Sequence, residues 1–448
     1  MQIRYLRIRN FRSLRDVELQ NLQNLNILVG KNSSGKSNLI EALDIFFNDF
    51  SVIGGNTAGL NEYYWFNKKT KNPIEFEITI ELSKSEIEFI FLSSLLKDIK
   101  RVSKSLNTLT LKRGIKNIQG AWETLTLECS GILLIKDNKS LTPNEVDSSF
   151  GELQKGRASL VHVYPTIETL NEVLQKISAI IKQKFRLVAQ IRDVKSPIAH
   201  RMTLIDSELQ SSLWTLDQSV KTDEEEKYVE IEAAFARVAD KQLDPAQGQV
   251  YIRRQQRRFP LHLEGGGIQS SIQLIFGLQK ELNKYSIFGI EEPEAHSHPA
   301  LQRRLFNELK SLSERCQLFV TTHSSVFIDR IDLRNVWIVR LNNGETIIEK
   351  ASELKKIVEE LGIKPSDFLF FANRILFVEG KTEEIIIPTF AEQLDINLGD
   401  VAILSVEGKT KARLNLKTWV KTTRGILPIF LLLDKDAETE IEQLKKER

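Results

Sequence analysis

The stretch GKNSSGKSNLIEALDIFF, residues 30–47, decides the fold. Gly30, Gly35, Lys36 and Ser37 fit the spacing G-x-x-x-x-G-K-[ST], with Lys31, Asn32, Ser33 and Ser34 filling the loop. The apolar run LNILVG (25–30) before it reads as a strand. Leu39, Ile40, Leu43, Ile45, Phe46 and Phe47 after it mark a buried helix. Strand, glycine loop and helix in this order form a phosphate-binding loop. The glycines let the backbone curl so that successive N–H groups point at an anion, and the helix N-terminus adds a favourable dipole. Lys36 would neutralise the β and γ oxygens of a triphosphate, and the Ser37 hydroxyl would join the shell of a bound Mg²⁺.

Such a loop needs a carboxylate at the end of a neighbouring strand. YSIFGIEEPEAHSHPALQRRL (285–305) supplies it. Ile287–Ile290 reads as a short buried strand with Glu291 and Glu292 at its tip. Glu291 would hold the metal through water, and Glu292 would polarise the attacking water. In LEGGGIQSSIQLIFGLQ (263–279), Gly265, Gly266 and Gly267 open an apolar helix, a second anion site. In CQLFVTTHSSVFID (316–329), Leu318–Val320 reads as a strand ending in Thr321, Thr322 and His323, where a histidine could sense a γ-phosphate. His296 and His298 are taken as loop residues, since zinc would need further ligands.

GKNSSGKS, LEGGG, IEEPEAHSHP and VTTH, in that order and with NFRSL near the start, resemble the Walker A, signature, Walker B/D-loop and H-loop of ABC-type ATPases of the SMC/RecF kind. IEEPEAHSHP is especially similar to the OLD (overcoming lysogeny defect) family. The resemblance implies a homodimer of heads with two ATPs and Mg²⁺ sandwiched between them, the signature of one head meeting the γ-phosphate on the other. Glu264 departs from the pattern, standing where ABC signatures usually carry Ser.

The ATPase motifs lie on both sides of the middle of the chain, so the head is expected over residues 1–350 with a helical insertion at about 166–245. NPIEFEITIEL (72–82) alternates as a strand, and residues 108–135 suggest a meander. Helical spacing marks 168–185, FRLVAQIRDV (185–194) returns to a strand, and 203–243 reads as helices broken by a solvated acidic loop, TDEEEK (222–227). Dimerisation and simple packing onto the head both remain open for the insertion. YIRRQQRRF (251–259) is either a phosphate patch or a solvated hairpin.

A second domain is expected over 370–448. Strand–helix units begin at RILFVEGKTEE (374–384) and VAILSVEGKTKARL (401–414), and ILPIFLLLDKD (426–436) adds a third strand. This order implies a parallel sheet with its functional residues at the carboxyl ends of the strands. Glu379, Glu383, Asp434 and Asp436 would then converge, and their mutual repulsion calls for a divalent cation with all-oxygen ligands. E-G-x-x-E followed by D-x-D resembles the TOPRIM fold, and a head followed by TOPRIM is the architecture of OLD-family nucleases. The resemblance implies metal-dependent DNA cleavage with Mg²⁺ or Mn²⁺ and Glu379 in a catalytic role, often in defence against phage. Lys409, Lys411 and Arg413 belong to a local basic surface suited to DNA. Only AETEIEQLKKER follows D-x-D, so the domain is expected to be shortened relative to the family.

The fold class expected is therefore α/β: an ABC-type P-loop ATPase head with a helical insertion, plus a small parallel-sheet TOPRIM-like domain. Composition agrees with a globular protein. The 448 residues are 41% hydrophobic and 27% charged, with a net charge of +2, so any DNA contact must be local. The two cysteines, Cys129 and Cys316, fit a reducing compartment, and no apolar run suggests a signal peptide or membrane span. A cytoplasmic ATPase with nuclease activity is the leading expectation, with a dimer or higher oligomer of heads and DNA as partner. The alternative is an ATP-dependent sensor with an impaired TOPRIM domain that controls a separate defence protein.

Overall fold

The structure is a computed structural model. It describes residues 1–48, 72–86, 108–118, 121–129, 132–136, 139–140, 179–181, 184–188, 203–246, 249–254, 257–282, 285–327, 332–352, 357, 360, 374–394, 401–405 and 428–432. The chain divides into two units, Met1–Ser297 with Leu305–Leu361, and His298–Arg304 with Gly362–Arg448.

In chain order the strands of the first half are β1 (Gln2–Phe11), β2 (Leu14–Gln20), β3 (Leu25–Val29), β4 (Ile74–Glu81), β5 (Thr108–Ile118), β6 (Ala121–Cys129), β7 (Ile132–Lys136), β8 (Lys139–Ser140) and β9 (Phe185–Val188). They are followed by β10 (Gln242–Ala246), β11 (Gln249–Arg254), β12 (Arg257–Pro260), β13 (Ile287–Glu291), β14 (Gln317–Thr322), β15 (Val336–Asn342) and β16 (Glu345–Lys350). The C-terminal strands are β17 (Arg374–Val378), β18 (Val401–Ser405) and β19 (Ile429–Leu432). The helices named here are α1 (Lys36–Asn48), α2 (Thr203–Asp217), α3 (Thr222–Ala239), α4 (Gly266–Glu281), α5 (Pro299–Leu312) and α6 (Lys381–Gln393).

The first unit has a six-stranded sheet in the order β16-β15-β3-β14-β13-β9. Every pairing from β15 to β9 is parallel, and β16 closes the edge antiparallel. A seven-stranded antiparallel sheet, β2-β1-β4-β5-β6-β7-β8, carries the expected meander. Helix α1 joins both sheets into one core. Leu39, Leu43, Phe46 and Phe47 pack in a single cluster with Ile8 and Phe11 of β1, Phe76 and Ile78 of β4, and Phe185, Ile287 and Phe319 of the parallel sheet. Ten of its thirteen residues are buried, so α1 has almost no polar face, as a helix enclosed on several sides requires. Removing a side chain such as Phe46 would cost about 3–5 kcal/mol.

Three local readings are revised. The carboxylate strand β13 is not the immediate neighbour of β3, because β14 pairs with both and stands between them. TDEEEK is helical: α3 begins at Thr222, and the break lies before it. Acids in the first turn of a helix complement its dipole, so the run is solvated without being a loop. Within the stretch read as an insertion, β9 is a strand of the parallel sheet itself, paired with β13. The helical reading of 168–185 lies outside the described residues except for 179–181, which are helical, and 184–185, which lead into and begin β9.

The arginine-rich segment is a hairpin, β11–β12, packed beside β10. Arg253 and Arg258 face each other across it and both donate to Asp244, at 3.0 and 2.8 Å. Burial acts to raise the Asp244 carboxyl, but Arg258 and Arg253 outweigh it and hold the group below its ordinary value. The hairpin thus spends two of its cations on a buried acid of its own sheet.

The second unit contains a three-stranded parallel sheet, β18-β17-β19, with α6 following β17. This is the parallel β-α-β arrangement expected from the sequence.

Candidate active site

Parallel pairing brings three strand ends level. Glu291 of β13 pairs with Thr321 of β14, and Thr322 pairs with Val29 of β3. The residues that follow, Gly30, Glu292 and His323, therefore emerge at one edge, as expected for the carboxyl ends of an open α/β sheet.

The loop after β3 is formed as a phosphate cradle. Gly35 has φ +101°, and a methyl there would run into Thr346 and the Ser13 hydroxyl. Ser33 is also left-handed, with φ +62°. Lys31, Asn32 and Ser33 are exposed, while Gly30 and Ser34 are buried. Lys36 is nearly enclosed and donates to the carbonyls of Gly30 and Lys31 at 2.8 and 2.9 Å. Burial pushes the Lys36 amine below its ordinary value, against the opposing pull of Glu292, Glu294 and Glu291.

Ser37 acts on the Glu291 carboxyl to favour its charged form, so the two groups expected to share a metal lie side by side. Burial raises the Glu291 carboxyl above its ordinary value, with Ser37 opposing. These features fit a nucleoside triphosphate with a divalent cation: curled N–H groups, a buried lysine, and a hydroxyl beside a carboxylate.

Glu292 has φ +41°, a left-handed conformation that is strained for glutamate. Its N–H is held by the Thr321 carbonyl at 3.0 Å and by the Thr321 hydroxyl at 3.2 Å. The His323 Nδ1 lies 3.4 Å from Glu292 Oε1 and 3.9 Å from Glu294 Oε1. The bond to Glu292 raises the His323 pKa above its ordinary value, despite partial burial.

The signature glycines open α4 as expected, with Gly265 as the N-cap. Gly265 and Gly266 are exposed, and Gly267 is buried. A methyl on Gly267 would meet the His296 carbonyl at 2.7 Å, so glycine lets α4 approach the turn after β13. Glu264, the departure from the signature, is buried and bound to Lys241 at 2.7 Å. Its charge is thus neutralised within its own head.

Sequence reading missed the support beneath the loop. Thr346 of β16 donates to the Ser34 carbonyl at 2.9 Å and shares a 2.6 Å hydrogen bond with Ser13, which in turn accepts from Asn38 at 2.7 Å. Arg12 reaches Asn38 and pairs with buried Glu41 on the same helix. NFRSL carried a signal for Arg12 and Ser13, but no spacing rule points to Thr346. Glu294 carries no motif of its own, although it repeats the acids two and three residues before it.

At the C-terminal sheet, Val378 pairs with Leu432, and Glu379 follows β17. Glu383 accepts a 3.0 Å hydrogen bond from the Gly380 N–H, the reciprocal half of a capping box at the start of α6. Part of its carboxylate therefore serves the helix, a role beside the one expected for Glu383 at a metal. Asp434, Asp436, Lys409, Lys411 and Arg413 lie outside the described residues. Among the described residues, no group of three or more His, Cys, Asp or Glu stands close enough to hold a metal.

The first unit is thus a P-loop ATPase head with Walker A, Walker B, signature and H-loop elements on the expected strands and helices. The chain belongs to the AAA ATPase domain family, whose model matches residues 1–328, and residues 370–436 match the overcoming lysogenization defect protein-like TOPRIM domain. The two domains imply use of a nucleotide and a divalent metal. The OLD nuclease of Thermus scotoductus is 23% identical over 97% of this chain and 82% of its own length. Endonuclease GajA of Bacillus cereus strain VD045 is 22% identical over 88% of this chain and 68% of its own. The SMC head domain from Thermotoga maritima matches 79% of this chain and all of its own at 14% identity, with a TM-score of 0.44. No described helix is long and apolar enough to cross a membrane.

Proposed function

We propose that this protein hydrolyses ATP at the Lys36–Glu291–Glu292–His323 site and cuts or nicks DNA at a metal site built on Glu379 and the D-x-D pair. The observation that carries the first half is the register that brings Gly30, Glu292 and His323 to one sheet edge. Lys36 and the loop N–H groups hold the phosphates, with Ser37 and Glu291 as the residues for Mg²⁺. Glu292 accepts the proton of the attacking water, and His323, held through Nδ1, offers its other ring nitrogen to the γ-phosphate. A bound Mg²⁺ would neutralise charge developing on the phosphate oxygens.

The exposed Gly265 and Gly266 at the start of α4 suit a phosphate presented by a second copy, which supports a head-to-head homodimer. The second half of the proposal draws on the TOPRIM match and on relatives named as nucleases. Mg²⁺ or Mn²⁺ at Glu379, Asp434 and Asp436 would serve DNA cleavage, with Lys409, Lys411 and Arg413 on the DNA. Defence against phage in the cytoplasm is the setting in which such a nuclease fits.

One observation favours a second reading, an ATP-dependent sensor that controls a separate effector. Glu383 is engaged by Gly380, which leaves fewer uncommitted carboxylates for a metal. Supercoiled plasmid incubated with each metal, with and without ATP, separates the two. The first reading expects nicking that is lost in Asp434→Ala. Intact plasmid under every condition supports the second.

A further inference from the structure

The turn after β13 contains an acid that the proposed chemistry does not use. Glu294 is 3% exposed. Its Oε1 accepts the Thr322 hydroxyl at 2.6 Å and the His323 backbone N–H at 3.2 Å. The Thr322 hydroxyl in turn accepts the Ser324 N–H at 3.0 Å. One oxygen therefore gathers the end of β14 and the residue after it onto the turn that carries Glu292.

Burying a carboxylate is expensive, and an apolar side chain of similar volume would usually stabilise a fold at least as well. What the carboxylate supplies here is geometry. Glu292 is held in a left-handed conformation at φ +41°. The His323 ring is half exposed and meets Glu292 across 3.4 Å. A catalytic pair made of one strained residue and one half-exposed ring needs a fixed reference between their two loops. Glu294 is placed to be that reference, because it lies two residues from Glu292 and binds the main chain of His323 directly.

We propose that Glu294 is a positioning residue for ATP hydrolysis, tying the His323 backbone and the Thr322 hydroxyl to the Glu292 turn and so setting the distance between imidazole and general base. In this role it acts through His323 and Glu292 and not on the phosphate or the water itself. This rests on the reading of Glu292 as the residue that activates water.

The test is steady-state ATP hydrolysis by the full chain with magnesium, for Glu294→Ala, Glu294→Gln, Thr322→Val and Glu292→Gln. Glutamine keeps an Oε1 acceptor for both donors, so Glu294→Gln should retain near-wild-type kcat. Glu294→Ala should lose kcat by about 10–100-fold, the scale of a misplaced catalytic group, with the KM for ATP unchanged. Thr322→Val, which removes one of the two donors, should fall between them.

Three outcomes overturn the proposal: wild-type kcat in Glu294→Ala, equal loss in the glutamine and alanine variants, or a KM that rises in step with the fall in kcat. Should Glu294→Ala fail to fold, Thr322→Val decides, and wild-type kcat in that variant overturns the proposal. Glu292→Gln separates the two layers. Active Glu292→Gln means that the reading of the site fails. Inactive Glu292→Gln beside fully active Glu294→Ala means that only the positioning role fails.

Discussion

The two parallel sheets present their carboxyl ends in different ways. In the head, the site residues come from three paired strands, and each is held a second time from below or behind. Lys36 is held by loop carbonyls, Glu292 by Thr321, and His323 by Glu294. At β17, Glu379 follows the strand, and the described acid next to it, Glu383, is bound to the Gly380 N–H. The difference teaches where carboxylates are committed. Buried acids in the head are spent on placing partners, whereas at β17 the nearest acid starts a helix.

The comparison can be broken at both ends. Its largest consequence is independence: Glu379→Ala should abolish metal-dependent nicking and leave ATP turnover intact, while Lys36→Ala should abolish turnover. Plasmid cleavage and phosphate release on the same preparations read both, and nicking that persists in Glu379→Ala would break the account of the C-terminal site.

Next in size is the support beneath the loop. Thr346→Val removes the donor to the Ser34 carbonyl and should cost about 1–3 kcal/mol of stability, the usual penalty for orphaning a buried polar group. Urea unfolding would show it, and an unchanged midpoint would remove Thr346 from the support of the loop.

A smaller effect sharpens the role of Glu383. As a cap, Glu383→Ala should cost about 1 kcal/mol, and Glu383→Gln, which keeps the acceptor, should cost little and preserve nicking. Loss of nicking in Glu383→Gln with stability intact would make it a metal ligand instead.

The smallest effect is the pH dependence of the His323 contribution. Its folded pKa lies above the ordinary 6.5 because of Glu292, so the stabilisation is full below that value and fades as pH rises through the folded pKa. The melting difference between wild type and His323→Asn should therefore be larger near about pH 6 than near about pH 9. Equal differences would argue against the ion pair.

Much of this was legible in the sequence because the deciding residues sit in short motifs whose spacing reflects one strand end and one turn. Lys36, Ser37, Glu291 and His323 are of that kind, and so is the parallel order of the C-terminal strands. Other contacts were not legible because they close through space. Thr346 reaches Ser34 across 312 residues of chain, and Lys241 reaches Glu264 from the turn after α3, so neither belongs to a local pattern. TDEEEK was not legible for another reason, which G-x-x-E shares: each has two physical meanings. An acidic run suits a solvated loop and equally the first turn of a helix, and a glutamate three residues after glycine suits a metal and equally a cap. Packing of the surrounding element chooses between them.

The central claim is that Glu292 activates water at the end of β13. The most direct measurement is phosphate release at saturating ATP by Glu292→Gln beside wild type, with nucleotide binding checked in both. The account predicts that binding persists while turnover falls by about 10²–10⁴-fold, the range for loss of a general base. Turnover at the wild-type rate would contradict it.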